Sequence, residues 1–70
     1  MTYQTLVREC AAELVGDYRK NGIDAIIKIY GHGSAVTTKL ERDTVSLAAR
    51  YLQSDEIFAD WAFIFIMTRN

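Results

Sequence analysis

The clearest pattern of apolar positions runs through residues 3–20. Apolar side chains recur there at steps of three and four residues, the spacing that places them on one face of a helix. These positions are Tyr3, Leu6, Val7, Cys10, Ala11, Leu14, Val15 and Tyr18. Thr2 is a suitable N-cap, and Asn21-Gly22 supplies the positive φ at which many helices end. The sequence therefore predicts a helix over residues 3–20.

Two further segments are rich in residues that favour strands. Residues 23–30 contain four isoleucines, and β-branched side chains pack well on a pleated strand. Residues 61–67 are apolar throughout, which is typical of a strand that is covered on both faces. We predict one strand in each segment.

The middle of the chain is open to two interpretations. Residues 35–41 alternate between apolar and polar side chains, which favours the second strand of a hairpin that turns at Gly31–Ser34. The alternative is one helix from Ser34 to Tyr51, because apolar residues also recur at helical spacing there. In both interpretations the chain is helical after Asp43, a good N-cap residue, and residues 55–60 form a polar connection.

The hairpin interpretation gives the element order α-β-β-α-β. A right-handed crossover then places the third strand beside the first and antiparallel to it. We therefore expect a single α+β domain over residues 1–70. It is a two-layer sandwich, in which a three-stranded antiparallel sheet of order 2-1-3 carries both helices on one face.

Length and composition limit the ways in which this domain is stabilised. A chain of 70 residues buries only about 60% of the surface that it exposes when unfolded, and small domains often add a disulfide, a metal or a second copy. Cys10 is the only cysteine, and one cysteine with one histidine is a poor set of metal ligands. Self-association is the stabiliser that remains. The net charge of −1 argues neither for nucleic acid nor for an anionic membrane as a partner, and we expect neither.

The candidate chemical groups indicate a protein without catalytic activity or cofactor. His32 lies between two glycines, but no Ser, Cys or Asp stands at a recognisable spacing to act with it. The Gly31–Ser34 segment lacks the spacing and the lysine of a phosphate-binding loop. Cys10 falls on the apolar stripe of the first helix, where we expect a buried and unreactive thiol.

The N-terminal residues lack the basic start and apolar run of a signal peptide. The longest apolar run has seven residues, far fewer than the roughly 20 that a membrane-spanning helix needs. Together with the unpaired thiol, these features predict a cytoplasmic protein.

An acidic row is the first part of a candidate interaction surface. Glu9, Glu13 and Asp17 are four residues apart on the polar side of the first helix, where like charges repel mildly. The row is either an acidic contact surface or an ordinary solvated helix face.

The predicted strand over residues 61–67 is the second part. Its side chains would alternate between the two faces. One face would carry Trp61, Phe63, Phe65 and Met67, and the other Ala62, Ile64 and Ile66. Two helices cover only one of these faces, so the other remains an apolar patch unless the 55–60 connection folds over it. The strand is also an open sheet edge, and we therefore predict a homodimer through residues 61–67.

In general character the chain resembles the small phage-encoded inhibitors of bacterial defence, the anti-CRISPR proteins among them. The resemblance rests on its short length, its near-neutral charge, the absence of proline and the expected two helices on a small sheet. It implies a protein that blocks a host protein by occupying its surface. We predict a non-enzymatic protein–protein interaction module that binds a host protein. The alternative is a small DNA-associated regulator that uses residues 34–52.

Overall fold

The protein is built from helices. A computed structural model describes residues 2–31 and 38–68, and within them it contains four helices and no strand. The helices are α1 (Tyr3–Asn21), α2 (Ile23–Tyr30), α3 (Lys39–Tyr51) and α4 (Glu56–Thr68). The predicted α+β sandwich with a 2-1-3 sheet is therefore wrong, and the fold is a small all-α arrangement.

The first helix forms as its pattern predicts. The Thr2 hydroxyl accepts a hydrogen bond from the Thr5 backbone N–H at 3.1 Å and caps the helix. At the other end Gly22 has a φ of 84°, and its N–H donates to the Tyr18 carbonyl at 2.8 Å. A side chain at that φ would be strained, so glycine ends the helix at little cost. The face buried in the core carries Val7, Ala11, Leu14 and Val15.

The predicted strand over residues 23–30 is wrong, because this segment is α2. Its apolar residues satisfy the helical period as well as the strand period. Ile26 is fully buried, and Ile23, Ile27 and Tyr30 pack beside it against the core at steps of three and four residues. The helical form buries these four side chains together and leaves Ile29 exposed. Packing of this face outweighs the modest strand preference of isoleucine.

The third helix begins at a capping box. The Thr38 hydroxyl accepts a hydrogen bond from the Glu41 N–H at 3.1 Å, and the Glu41 carboxylate accepts one from the Thr38 N–H at 3.0 Å. This exchange satisfies two backbone donors at the start of α3. Asp43 therefore lies inside the helix and is not its N-cap. The predicted strand over residues 35–41 is wrong from Lys39 onward, and residues 35–37 lie outside the described part of the chain.

The predicted strand over residues 61–67 is also wrong, because these residues belong to α4. Phe58, Trp61, Ala62 and Phe65 recur at helical spacing and are all buried. The Asp55 carboxylate accepts a hydrogen bond from the Phe58 N–H at 3.0 Å and caps the helix start. Because this segment is helical it forms no sheet edge, so the prediction of a homodimer through a 61–67 strand is also wrong.

The core lies where α3 meets both α1 and α4, with α2 packed on α1. Aromatic rings hold α4 in place. The Phe58 ring lies 5.0 Å from Tyr18 and 5.5 Å from Trp61, and the Trp61 ring lies 5.0 Å from Phe65. The indole N–H of Trp61 also donates to the Gly31 carbonyl at 3.1 Å. These contacts fix the rotation of α4 about its axis and so decide which of its side chains face solvent.

Candidate interaction surface

The side of α4 that faces away from the core is mostly apolar. Four large side chains on it are at least half exposed: Ile57 by 63%, Phe63 by 65%, Ile64 by 51% and Met67 by 63%. They lie on one helical stripe with the exposed Asp60 because residues 57, 60, 64 and 67 are separated by steps of three and four. We call Ile57, Asp60, Phe63, Ile64 and Met67 the α4 outer face.

The helix separates residues that a strand would have placed together. Trp61 and Phe65 are buried, with 7% and 0% of their surface exposed, whereas Phe63 is exposed. Ile66 is partly buried and packs against the core, and Ile64 is on the α4 outer face. Of the apolar residues predicted for the surface, only Phe63 and Ile64 are at least half accessible to a partner.

Sequence reasoning missed Ile57 as a surface residue. It placed Met67 on one face of the predicted strand but did not include it in the candidate surface. The available signal was the length of the apolar region: residues 56–68 contain only Glu56 and Asp60 as charged residues. A helix that is apolar nearly all round has too many apolar side chains for one core face. Some of them then remain exposed.

The acidic row predicted on α1 lies on the protein surface. Glu9, Glu13 and Asp17 are all exposed, and each follows the last by slightly more than one helical turn. None of them forms an ion pair with another of the described residues. Its role as a contact surface stays a prediction.

A groove lies between α1 and α3. It has a volume of about 530 Å³ and is lined by side chains from both helices. They are Tyr3, Gln4, Val7, Arg8, Lys39, Asp43, Ser46, Leu47 and Arg50. We call it the α1–α3 groove.

A three-residue polar network occupies one end of the α1–α3 groove. The Tyr3 hydroxyl donates to Asp43 Oδ2 at 2.6 Å, and Lys39 Nζ donates to the same oxygen at 2.7 Å. Lys39 Nζ also lies 4.6 Å from the centre of the Tyr3 ring, a cation–π distance. The hydrogen bond from Lys39, supported by that from Tyr3, lowers the pKa of Asp43 below its usual range. At neutral pH Asp43 is therefore ionised, and its negative charge is balanced by the ammonium group of Lys39.

The structure describes only some of the other candidate groups. His32 and Gly33 lie outside the described residues. Cys10 is partly buried, which is less than its predicted core position implied. Within residues 2–31 and 38–68 no group of three His, Cys, Asp or Glu side chains is placed to hold a metal ion. None of the helices in this part of the chain is long and apolar enough to cross a membrane.

Comparison with protein-family models, with curated protein sequences and with solved structures gave no significant match for this chain.

Proposed function

We propose that this chain is a non-enzymatic protein-binding module that acts in the cytoplasm and contacts its partner through the α4 outer face. The observation that supports this proposal is the exposure of four large apolar side chains on one side of a single helix. Contiguous apolar surface of this kind is unfavourable in water and marks contact sites in soluble proteins. The proposed mode of action is occupation of another protein's surface, which blocks that surface to other molecules.

The apolar side chains supply the affinity in this proposal. Complete burial of one such side chain contributes about 1.5–3 kcal/mol, so covering the exposed half contributes roughly 1 kcal/mol each. Four of them contribute roughly 4 kcal/mol before the entropic cost of association is subtracted, so they do not alone reach the ~8 kcal/mol that corresponds to micromolar binding. The remainder comes from polar and charged contacts at the rim of the interface.

The charges of α4 determine what kind of partner fits. Glu56 and Asp60 are its only charged residues, and both are exposed. A partner that presents apolar side chains together with Lys or Arg would cover the face and pair with Asp60. A second copy is a poorer match, since the α4 outer face carries the Asp60 carboxylate but no cation to pair with it. Pairing of two such faces buries a carboxylate without a cation.

The alternative of a DNA-associated regulator has less support. In α3 the side chains of Thr44, Val45 and Ala48 are buried, and Lys39 is paired with Asp43. The helix therefore has a structural role and offers only Arg42 and Arg50 as cations that form no ion pair within the described part of the chain.

A paired capture experiment tests the proposal. The wild-type chain and the double variant Phe63→Lys/Met67→Lys are immobilised and exposed to lysate of the cells that naturally make the protein. We expect one protein to be retained by the wild type and lost with the variant. Isothermal titration of the purified partner should then show a Kd at least about tenfold weaker for the variant, a loss of about 1.4 kcal/mol.

Ile29→Lys is the control, and it adds one lysine where the double variant adds two. Ile29 is 64% exposed and lies on α2, so its replacement changes surface apolarity and charge without touching α4. Helical circular dichroism must be the same for all three proteins. The proposal is wrong if the double variant retains the partner as well as the control does. It is also wrong if sedimentation shows that α4 mediates only self-association.

A further inference from the structure

The α1–α3 groove has a charge opposite to that of the rest of the molecule. Its lining includes three cations, Arg8, Lys39 and Arg50, and one carboxylate, Asp43, whereas the whole chain has a net charge of −1. The acidic residues of α1 and α4 described above lie elsewhere. The groove is therefore a local site of positive potential on a slightly acidic protein.

Two of the three groove cations are available to a ligand. Lys39 is held by Asp43, which is the only ion pair among the residues that the structure describes. Toward the residues that the structure describes, Arg8 makes only a long hydrogen bond of 3.5 Å to the Thr5 hydroxyl, and Arg50 is exposed. These arginines project into one groove from two different helices. A guanidinium group binds carboxylate and phosphate groups through two parallel hydrogen bonds.

The rest of the groove fits the body of a small molecule. Val7 is buried and Leu47 partly buried, and they supply apolar contact. Tyr3 adds an aromatic ring, and Gln4 and Ser46 add hydrogen-bonding groups. The groove is open to solvent along its length, and its volume of about 530 Å³ is sufficient for a small ligand to lie in it, since small-ligand sites measure roughly 300–1,000 Å³. Duplex DNA, by contrast, receives a protruding helix or ribbon in its own groove.

We propose that the α1–α3 groove binds a small organic anion. Arg8 and Arg50 hold its carboxylate or phosphate group, while Val7, Leu47 and the Tyr3 ring contact its apolar body. This site is separate from the α4 outer face and does not depend on the protein-binding function proposed above.

Titration with defined probes tests this site. The probes are phenyl phosphate and benzoate, which join an apolar ring to the two possible anionic groups. Inorganic phosphate carries only the anionic group, and benzyl alcohol carries only the aromatic ring. Binding is followed by ¹H–¹⁵N correlation spectra of the full chain. We expect saturable shifts of the Gln4 and Ser46 amides with at least one aromatic anion. Inorganic phosphate and benzyl alcohol should both bind more weakly than that aromatic anion.

Arginine variants with matched controls locate the binding. Arg8→Gln and Arg50→Gln should each raise the Kd for the aromatic anion by about tenfold, the equivalent of 1.4 kcal/mol. Arg19→Gln on α1 and Arg42→Gln on α3 remove the same charge from the same helices outside the groove and should leave the Kd within about twofold. Because all four side chains are exposed, these variants should keep the wild-type spectrum in the absence of ligand.

Three results would overturn the proposal. The first is the absence of saturable shifts up to about 10 mM probe, where any remaining affinity is under 3 kcal/mol. The second is an equal loss of affinity in the groove variants and the controls, which is the behaviour of general charge attraction. The third is binding of a short DNA duplex in preference to the aromatic anions. In that case all four variants would weaken DNA binding to the same extent, and the affinity for DNA would fall steeply with salt, as phosphate contacts do.

Discussion

The Tyr18 hydroxyl on α1 is shared between the two carboxylate oxygens of Asp55, at 2.9 and 2.8 Å. Asp55 is also the residue that caps α4, through the Phe58 N–H. One side chain of α1 thus orients the carboxylate that starts α4. The hydrogen bond from Phe58, followed by that from Tyr18, lowers the pKa of Asp55 below its usual range.

The first prediction concerns the pH dependence of this contact. Because the pKa of Asp55 is lower in the folded state, the contact stabilises the fold fully above the unfolded pKa of about 4, and this contribution is lost as the pH falls through the folded pKa. Tyr18→Phe should therefore reduce the free energy of unfolding at pH 6 but have a smaller effect near pH 2. Urea denaturation over this pH range measures the difference. Tyr51→Phe, at an exposed tyrosine, should show no such dependence.

The second prediction compares two phenylalanines of α4. Phe65→Ala should destabilise the fold by about 3–5 kcal/mol because it empties a fully buried position. Phe63→Ala should change stability by no more than about 0.5 kcal/mol because the ring is mainly in solvent. Chemical denaturation followed by circular dichroism gives both values. Equal effects would contradict the helical assignment, since only a strand places both rings on one face.

The third prediction concerns a buried hydroxyl. Thr44 is 1% exposed, and its Oγ1 has no hydrogen-bond partner among the described residues. An unpaired buried hydroxyl is unfavourable, so Thr44→Val should raise the free energy of unfolding by about 1 kcal/mol. Thr44→Ser keeps the hydroxyl and loses the methyl group, and it should lower stability. A less stable valine variant would mean that the hydroxyl is hydrogen-bonded.

The fourth prediction concerns two glycines. Gly16 lies on the exposed side of α1, and a Cβ added there meets nothing within 4 Å. Gly16→Ala should stabilise the fold by about 0.5–1 kcal/mol because alanine loses less backbone freedom in a helix. Gly22→Ala should destabilise it, since Gly22 has a φ of 84°. Thermal unfolding of the two variants should shift in opposite directions.

The sequence predicted α1 closely because its apolar stripe, its cap and its terminating glycine all indicate the same helix. The start of α3 could also have been predicted from the sequence. Thr38 and Glu41 have the spacing of a capping box, and this signal was stronger than the single N-cap preference of Asp43.

The error in α2 and α4 has a different cause. Ile26 and Ile27 favour a strand locally, but in the helical form Ile26 belongs to a core cluster that also contains residues of α1, α3 and α4, and Ile27 packs against it. Trp61 likewise packs against Tyr30 at 6.0 Å and donates to Gly31. Such contacts outweigh local propensity and do not appear in the pattern of a single segment. The α4 outer face could not be predicted for the same reason. The rotation of α4 about its axis decides which side chains belong to that face, and long-range contacts set this rotation.

The composition of α4 has a consequence for the unfolded chain. Residues 61–67 are uncharged, contain no proline and are rich in aromatic and β-branched side chains, the composition of segments that assemble into cross-β fibrils. In the native helix the backbone N–H groups of this segment are hydrogen-bonded within α4, and Trp61, Ala62 and Phe65 are buried. Loss of α4 releases the segment as a free strand, so the helix protects the protein from aggregation as well as shaping its surface.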